Sequence, residues 1–329
     1  MKIVIATPFY PPEVGTLATY AQGLEQAFKR QGHEVRVVSL GALKSFPRGV
    51  RHLMLFFRLL KEARGAAFVL SLDTWTVCMP ALGAARVLGV PLCVRIGGDI
   101  LWEAYVERTG EALRLSDFYA KPCVYSRKER IIAAWLRMLV ARADTLFFNS
   151  RFQRDLWEKA YDLARKAHIL ENVYPSKQQT AAPAAKVFVG AVRGARTKNS
   201  TILPRVFAEV QKKHPEVELD ARELPYDQQL PRLKAAYAII IPSFSEVNSN
   251  MAIEAVSFGR PFIMSEDSGS KERLDGCGLF IDTRSESELI QAVEKLLDPA
   301  VYEQLAAKTR AFSFTRSWDD MAEEIVQRI

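Results

Sequence analysis

A short apolar strand, a loop, a helix and a second strand follow one another at the start of this chain. Lys2–Thr7 is apolar and β-branched, Thr16–Arg30 has helical periodicity, and Glu34–Leu40 again has the pattern of a strand. A strand, a helix and a strand within so short a length form a βαβ unit, which requires parallel strands in one sheet. The sequence therefore predicts an α/β fold built on parallel sheets.

The same pattern continues to the C-terminal region with one interruption. Residues 176–185 are polar, contain proline and lack periodicity, which predicts a linker. A fresh strand begins at Lys186, and helix and strand patterns alternate after it. We therefore predict a doubly wound, Rossmann-like domain at 1–175 and a second one at 186–312, facing each other across a cleft. Residues 313–329 are predicted to form a helix that packs back on the first domain.

The charge of the chain is unevenly distributed. Residues 1–180 carry 26 Lys and Arg against 16 Asp and Glu, a net charge of +10, whereas residues 181–329 carry a net charge of −3. This asymmetry suggests that the N-terminal half faces a membrane, a nucleic acid or a phosphorylated ligand, with a solvated basic surface as the alternative. The aromatic residues do not alternate with the cations as a nucleic-acid stacking platform requires, so nucleic acid is disfavoured.

Composition excludes several other classes of protein. Hydrophobic residues make up 49% of the 329 residues and charged residues 25%, which excludes a mostly disordered chain. Four cysteines without a CxxC pair argue against a disulfide framework and a zinc site. The sequence has no apolar run long enough for a membrane span and no signal-peptide pattern, so we expect a cytoplasmic protein.

The strongest local pattern joins an apolar strand that ends at Ile241 to a helix that begins near Asn250. The loop carries Glu246, and Glu254 follows one turn into the helix, so both carboxylates can border one pocket and accept hydroxyl protons. The first-turn N–H groups and the helix dipole favour a diphosphate. The residues that would present this backbone are Asn248, Ser249, Asn250 and Met251. A surface charge and a charge that stabilises the helix are the alternative roles of the two carboxylates.

Two further loops are candidates for a site. The strand that ends at Gly190 is followed by Arg193, Arg196 and Lys198, and such cations neutralise charge on a phosphate leaving group, although an exposed basic turn has the same pattern. A strand in the N-terminal half ends in Gly97-Gly98-Asp99, where Asp99 could act as a base or cap a helix. Neither GxGxxG nor GxxxxGK[ST] occurs, which disfavours dinucleotide dehydrogenases and P-loop enzymes.

Taken together, these segments resemble the family-four retaining glycosyltransferases, which have the GT-B fold. The N-terminal loop Pro11–Thr16, the segment Gly32–Val35 and the E-x7-E pair of Glu246 and Glu254 match that family's motifs. The frame around the pair also matches at Pro242, Ser243, Ala255, Gly259 and Pro261. A stretch of a bacterial subgroup, R-x-x-GD-x-x-WE, resembles the segment made by Arg95, Gly98, Asp99, Trp102 and Glu103.

The resemblance implies transfer of a hexose, with retention, from a UDP- or GDP-sugar to a glycan or lipid-linked acceptor in cell-surface polysaccharide synthesis. It implies no cofactor or metal. On the donor side it implies that Arg196 and Lys198 hold the diphosphate, that Glu246 contacts the sugar and that Glu254 contacts the ribose. The remaining implied positions are Arg193 on the donor side, Gly15 and Thr16 against the phosphate or acceptor, and Asp99, Arg95 and Gly98 on the acceptor side.

Three departures from the family pattern leave alternatives open. Thr16 replaces the second glycine of the N-terminal loop, and Gly97 occupies the position of a histidine that many members carry. The glycine-rich stretch before the donor site is nearly absent between residues 219 and 237, so the nucleobase is left open. A sugar-nucleotide epimerase of the same fold and a catalytically silent relative that binds glycans or membranes are the alternative functions.

A basic amphipathic segment runs from Arg48 to Arg64. Its cations occupy one broad side of a helical wheel, and Leu53, Phe56, Phe57, Leu59 and Leu60 gather on the other. We expect peripheral binding to the anionic inner face of the plasma membrane, with packing of the apolar face on the sheet as the alternative.

Overall fold

The computed structural model describes residues 1–13, 15–192, 194–224 and 226–329, without the side chains of Arg48, Arg165, Tyr226 and Asp227. In chain order, the elements up to residue 169 are β1 (Lys2–Thr7), α1 (Thr16–Arg30), β2 (Glu34–Ser39), α2 (Arg48–Glu62), β3 (Phe68–Ser71), α3 (Cys78–Leu88), β4 (Leu92–Ile96), α4 (Ile100–Thr109), α5 (Leu115–Ala120), α6 (Arg127–Arg142), β5 (Thr145–Phe148), α7 (Arg151–Glu158) and β6 (Ala167–Ile169).

The remaining elements form a second series, and the chain divides into two compact units. Unit 1 comprises residues 1–101, 124–173 and 317–329, and unit 2 comprises residues 102–123 and 174–316. The elements after residue 169 are β7 (Lys186–Gly190), α8 (Leu203–Gln211), β8 (Val217–Asp220), α9 (Tyr226–Ala235), β9 (Ala238–Ile241), α10 (Asn250–Ser257), β10 (Phe262–Ser265), α11 (Lys271–Leu274), β11 (Gly278–Ile281), α12 (Glu286–Leu297), α13 (Pro299–Ala311) and α14 (Trp318–Gln327).

Unit 1 is built on a six-stranded parallel sheet with the order β2-β1-β3-β4-β5-β6. The register of its first pair runs from Lys2 opposite Glu34 to Thr7 opposite Ser39. The residues of β3, β4 and β5 are buried along their whole length. Strands buried on both faces are continuous apolar runs rather than alternating ones, which is why the sequence pattern identified them.

The C-terminal helix α14 packs on α1 within unit 1. The ring of Trp318 meets that of Tyr20 edge to face with centroids 4.9 Å apart, and Trp318 also covers Gly23, where a Cβ atom would lie 2.5 Å from the indole. Arg30 and Asp319 form an exposed ion pair of 2.8 Å at the end of this contact. Residues 317–329 therefore complete the core of the first unit although they follow the whole of the second in sequence.

The division of the structure differs from the sequence-based division at residue 175 in one segment. Residues 102–123, which contain most of α4 and all of α5, belong to unit 2. Hydrogen bonds join this segment to loops that follow it by about 90 to 170 positions in the chain, such as the bond from the Leu115 amide to Ser245 Oγ at 2.8 Å. Local periodicity carries no information about such distant partners, and this explains the difference.

The segment at 176–185, predicted as a linker, lies against unit 2 without regular secondary structure. The ammonium group of Lys177 donates hydrogen bonds to the carbonyls of Val256, at 2.6 Å, and Thr309. The Thr180 hydroxyl donates to the Phe258 carbonyl at 2.9 Å. Burial lowers the pKa of Lys177, as expected for an ammonium group withdrawn from water. The segment is thus fixed to the second unit by its polar groups.

Helix α2, which contains most of the basic amphipathic segment, has both buried and exposed apolar side chains. Leu55 and Leu59 are fully buried, whereas Leu53 is 57% exposed and Phe57 is 59% exposed. Val50 is also exposed and continues the stripe toward the N-terminus of the helix. The apolar residues therefore do not share one face: one row packs in the core and another, on the side of Lys61, faces water. No helix within the described residues is long and apolar enough to cross a bilayer.

Candidate active site

Unit 2 contains a five-stranded parallel sheet with the order β11-β10-β9-β7-β8. Strands β7 and β9 are neighbours in this sheet, but the chain leaves β7 toward one edge and returns to continue from β9 toward the other. Ligands of open α/β sheets bind in the crevice outside the carboxyl ends of two such strands. The loop after β7 carries Arg196 and Lys198, and the loop after β9 carries Glu246, so the fold brings two separate sequence motifs together at this point.

An ion pair links the two loops. Lys198 Nζ lies 2.6 Å from Glu246 Oε1, and the hydroxyl of Ser243 donates to the same oxygen at 2.7 Å. The side chain of Lys198 is 29% exposed and that of Glu246 is 13% exposed, so both groups border the solvent without being freely hydrated. A carboxylate held by two donors on one oxygen keeps the other oxygen available to accept a further hydrogen bond.

The segment that follows β10 fixes the backbone of the loop after β9. The Glu246 amide donates to the Asp267 carbonyl at 3.2 Å, and the Glu246 carbonyl accepts from the Gly269 amide at 3.0 Å. These bonds form a short parallel bridge between Glu246 and Ser268. The Glu246 side chain therefore starts from a rigid backbone position, which favours a preorganised site.

The N-terminus of α10 follows this loop. Ser249 caps the helix, because its Oγ accepts from the Ala252 amide at 3.3 Å, and its own amide donates to Ser270 Oγ at 2.8 Å. Asn248 is buried and its side-chain oxygen lies 3.4 Å from the same hydroxyl. Glu254 lies one turn into α10 and is half-buried. The N-terminal end of the helix carries the partial positive charge that suits a phosphate group.

Segment 102–123 of unit 2 contacts the loop after β7, a contact that no sequence pattern indicated. Glu107 Oε2 in α4 accepts a hydrogen bond from the Arg196 amide at 3.1 Å. Gly110 has a φ of +72°, and a Cβ atom there would lie 2.6 Å from the Arg196 guanidinium. The positive φ favours a glycine at residue 110, and a side chain there would displace the Arg196 guanidinium from its present position.

The same segment also binds the loop after β9. The Leu115 amide donates to Ser245 Oγ at 2.8 Å, and that hydroxyl donates to Asp267 Oδ2 at 2.5 Å. The Ser116 amide donates to the same Asp267 oxygen at 3.2 Å. Ser245 and Asp267 are both buried, so α5 fixes the residue next to Glu246.

A cluster of charged side chains completes this support. Asp117 accepts from Arg114 at 3.2 Å and from Arg284 at 3.1 Å, and Arg114 also forms an ion pair with Glu266 at 2.9 Å. Hydrogen bonds from Arg284 hold the pKa of Asp282 below its usual value. Sequence reasoning did not identify any member of this cluster, since the contacts that join its two halves, Arg284 with Asp117 and Arg114 with Glu266, cross 167 and 152 positions in the chain.

The predicted residues of the N-terminal half lie in unit 1. Asp99 is 1% exposed and accepts a hydrogen bond from the Trp157 indole at 2.8 Å, which is a buried and not a solvent-facing position. Gly98 accepts from Gln153 Nε2 at 2.8 Å. Gly15 is the N-cap residue of α1 with a φ of +151°, and the exposed Thr16 is the first residue of the helix. Arg95 is buried at the end of β4.

The structure therefore brings together Lys198 and Glu246, with Arg196 in the same loop as Lys198 and the N-terminus of α10 following the loop of Glu246. Arg193, another predicted donor-side residue, lies outside the described residues. No group of three or more His, Cys, Asp or Glu side chains suited to a metal ion occurs in the described part of the chain. The roles of all these residues stay predictions.

Comparison with known proteins identifies the fold. Residues 16–172 match the model of the glycosyl transferase 4-like domain. Sucrose-phosphate synthase from Thermosynechococcus elongatus has a TM-score of 0.74 at 14% identity, over 99% of this chain and 97% of that one. HepE from Anabaena, solved with UDP-glucose, has a TM-score of 0.67 at 13% identity over the whole of both chains. No curated protein sequence matches this chain.

A further structural neighbour is the lipopolysaccharide outer core galactosyltransferase WaaB, with a TM-score of 0.61 at 13% identity over the whole of both chains. At these identities the likeness establishes the fold, and the predicted GT-B fold is confirmed.

Proposed function

We propose that this protein is a retaining glycosyltransferase that moves a hexose from a nucleotide-sugar to a glycan or lipid-linked acceptor in cell-surface polysaccharide synthesis. The observation that carries the proposal is the Lys198–Glu246 pair at the point where β7 and β9 diverge. A fixed cation beside a fixed carboxylate suits a donor whose diphosphate is negative and whose sugar presents hydroxyl groups.

Each residue has a defined task in this proposal. Lys198 and Arg196 neutralise the charge that grows on the departing diphosphate, and the N-terminus of α10 binds the same group through its backbone N–H donors. Glu246 accepts a hydrogen bond from the donor sugar, and Glu254 accepts from the ribose. The protein positions the reactants and stabilises charge, and no protein nucleophile or metal is part of the proposal.

The donor is proposed to be a UDP- or GDP-sugar, and UDP-glucose is the first compound to test because HepE was solved with it. A thermal-shift panel of UDP-, GDP-, ADP- and dTDP-sugars measures donor choice, since a ligand that binds the native state raises its unfolding midpoint. Lys198→Met should abolish the shift, whereas Lys186→Met, which breaks the remote Lys186–Glu216 pair at 2.9 Å, should not. Equal shifts in both variants would contradict the assigned site.

Product analysis separates the alternatives. A transferase releases the nucleoside diphosphate slowly without acceptor, and a silent relative releases none. An epimerase returns the nucleotide-sugar with a changed sugar and intact diphosphate. The anomeric configuration of a transferred sugar, read by NMR spectroscopy, tests retention directly.

We further propose that the protein is cytoplasmic and binds an anionic membrane surface through α2. Val50, Leu53 and Phe57 form an exposed apolar stripe, and Lys61 continues it by one turn while the exposed Arg58 flanks it. An apolar stripe bordered by cations complements a bilayer surface that contains acidic lipids. The net charge of +10 on residues 1–180 also favours an approach of the N-terminal half to an anionic membrane.

Co-sedimentation with vesicles of phosphatidylcholine, with and without phosphatidylglycerol, tests this proposal. Binding should require the acidic lipid, fall with salt, and be lost in the Leu53→Ser/Phe57→Ser double variant. Ile131→Ser is the matched control, because Ile131 is 55% exposed on α6. Binding that ignores lipid charge, or that the control loses equally, contradicts membrane docking through α2.

A further inference from the structure

Arg95 is a buried arginine with few partners. Its side chain is 3% exposed at the carboxyl end of β4, where Nη2 donates to Asn172 Oδ1 at 2.8 Å and the guanidinium lies 3.9 Å from the centre of the Tyr20 ring. Its Nε atom is buried without a hydrogen-bond partner. In the part of the chain that the structure describes, no carboxylate forms an ion pair with Arg95.

This arrangement is costly for an apoprotein. A guanidinium stays charged in proteins and presents an array of N–H donors. Burial of a charge is unfavourable unless an opposite charge and hydrogen bonds compensate for it. One amide oxygen and one aromatic face satisfy only part of the group, so Arg95 lacks the anion that its position requires.

An exposed glycine lies beside this cation. Gly97 is exposed, and a Cβ atom there would lie 2.7 Å from Arg95 Nη1. Gly97 does not have a positive φ, so the close approach of the guanidinium, and not the backbone conformation, favours a glycine here. A side chain at residue 97 would cover or displace the cation.

A second polar side chain with an unsatisfied atom, Gln153, contacts the next residue, Gly98. Gln153 is fully buried and donates from Nε2 to the Gly98 carbonyl at 2.8 Å, while its Oε1 atom is buried without a hydrogen-bond partner. The Gly97–Gly98 segment therefore has the Arg95 guanidinium beside Gly97 and the Gln153 side chain bonded to Gly98, with the Gln153 oxygen able to accept a hydrogen bond. This pair matches an anion that carries a hydroxyl group nearby.

We propose that Arg95 and Gln153 form a binding site for a hydroxylated anion, a sugar phosphate or sugar acid, which approaches over Gly97. Identification of that anion as part of the acceptor rests on the proposed transferase function; the anion site does not. The acceptor would then bear its phosphate or carboxylate next to the hydroxyl that receives the sugar.

The test uses the full chain with the donor clamp removed by Arg196→Ala/Lys198→Ala, so that phosphate bound at the donor loops cannot contribute. In this background, the unfolding midpoint is measured against inorganic phosphate and, separately, sodium acetate, with sodium chloride at matched ionic strength. We expect a saturable rise with phosphate, acetate or both, because binding stabilises the native state by mass action. A phosphate-only or acetate-only response identifies the anionic group.

Arg95→Met added to this background should raise the apparent Kd by about tenfold or more, as expected from a lost hydrogen bond to a charged group. Replacing a buried unpaired charge by an apolar side chain of similar size should leave the anion-free midpoint equal or higher. Gly97→Ala provides a second variant that retains Arg95 and should weaken anion binding as well.

The proposal would be overturned if the background protein, which retains Arg95, shows no anion-specific rise in its unfolding midpoint. It would also be overturned if the Arg95→Met and the Gly97→Ala proteins both show the same rise as the background protein. If Arg95→Met does not fold, Gly97→Ala alone decides by the same criterion. Every protein compared lacks the donor clamp, so these results do not depend on sugar transfer. A transferase without this anion site would still show donor shifts in the intact chain.

Discussion

Replacement of Lys198 by methionine separates a catalytic from a structural role of the Lys198–Glu246 pair. The change keeps the length of the side chain and removes the charge that lies 2.6 Å from the Glu246 carboxylate. Glu246 retains the bond from Ser243. A hydrogen bond to a charged group contributes about 1.5–3 kcal/mol, and the 29% exposure of Lys198 places it toward the lower end.

The stability and the activity should therefore change by different amounts. A loss of about 1.5 kcal/mol corresponds to a fall in the unfolding midpoint of roughly 2 °C for a protein of this size. Loss of a preorganised cation at the leaving diphosphate costs on the order of 100-fold in turnover, or about 2.7 kcal/mol of transition-state stabilisation. A purely structural pair would give the first effect without the second.

The assay measures release of the nucleoside diphosphate from the donor identified by thermal shift, at a temperature well below the lower midpoint. Glu246→Gln and the double variant complete a cycle that isolates the coupling between the two residues. Lys186→Met serves as the charge-matched control on the same unit. Turnover of a folded Lys198→Met protein within about threefold of the original would refute the reasoning.

Three further predictions concern neighbouring features. Glu254→Gln should weaken donor binding about tenfold or more without lowering the unfolding midpoint; normal binding in a protein that unfolds easily would instead indicate a structural role. Gly110→Ala should reduce turnover, because the added Cβ atom would lie 2.6 Å from Arg196 at a φ of +72°; unchanged kinetics would separate α4 from the clamp. Burial and the hydrogen bond to Glu25 raise the pKa of Tyr10 to about 12, so the stability it contributes is complete below about pH 10 and lost as the pH rises through the folded value; Tyr10→Phe should flatten alkaline unfolding curves over that range, and identical curves would contradict the assignment.

The sequence alone indicated a part of the strands and helices, among them β1, α1, β2, β4, β7, β9 and α10, and singled out the two loops that are candidates for donor binding. Parallel strands such as β4 and β9 are buried apolar runs, and helices such as α1 and α12 bury one periodic face. The pattern of neighbouring residues is therefore enough to predict which side chains of these elements are buried. The spacing of Glu246 and Glu254 likewise reflects a local strand–loop–helix unit. Because the strands are parallel, the loops that follow them all lie at the carboxyl ends of the strands, on the same side of the sheet.

Only the tertiary structure decided which distant groups meet. The contacts of Glu107 with the Arg196 amide and of α5 with Ser245 cross 89 and 130 positions of the chain, and no periodicity of either segment records them. The burial of Arg95 against Tyr20 and Asn172, and the exposure of Leu53 and Phe57 on a helix whose other row is buried, were decided in the same way. Sequence patterns predict whether a residue is buried. Which distant residue it contacts depends on how the whole sheet and its loops assemble.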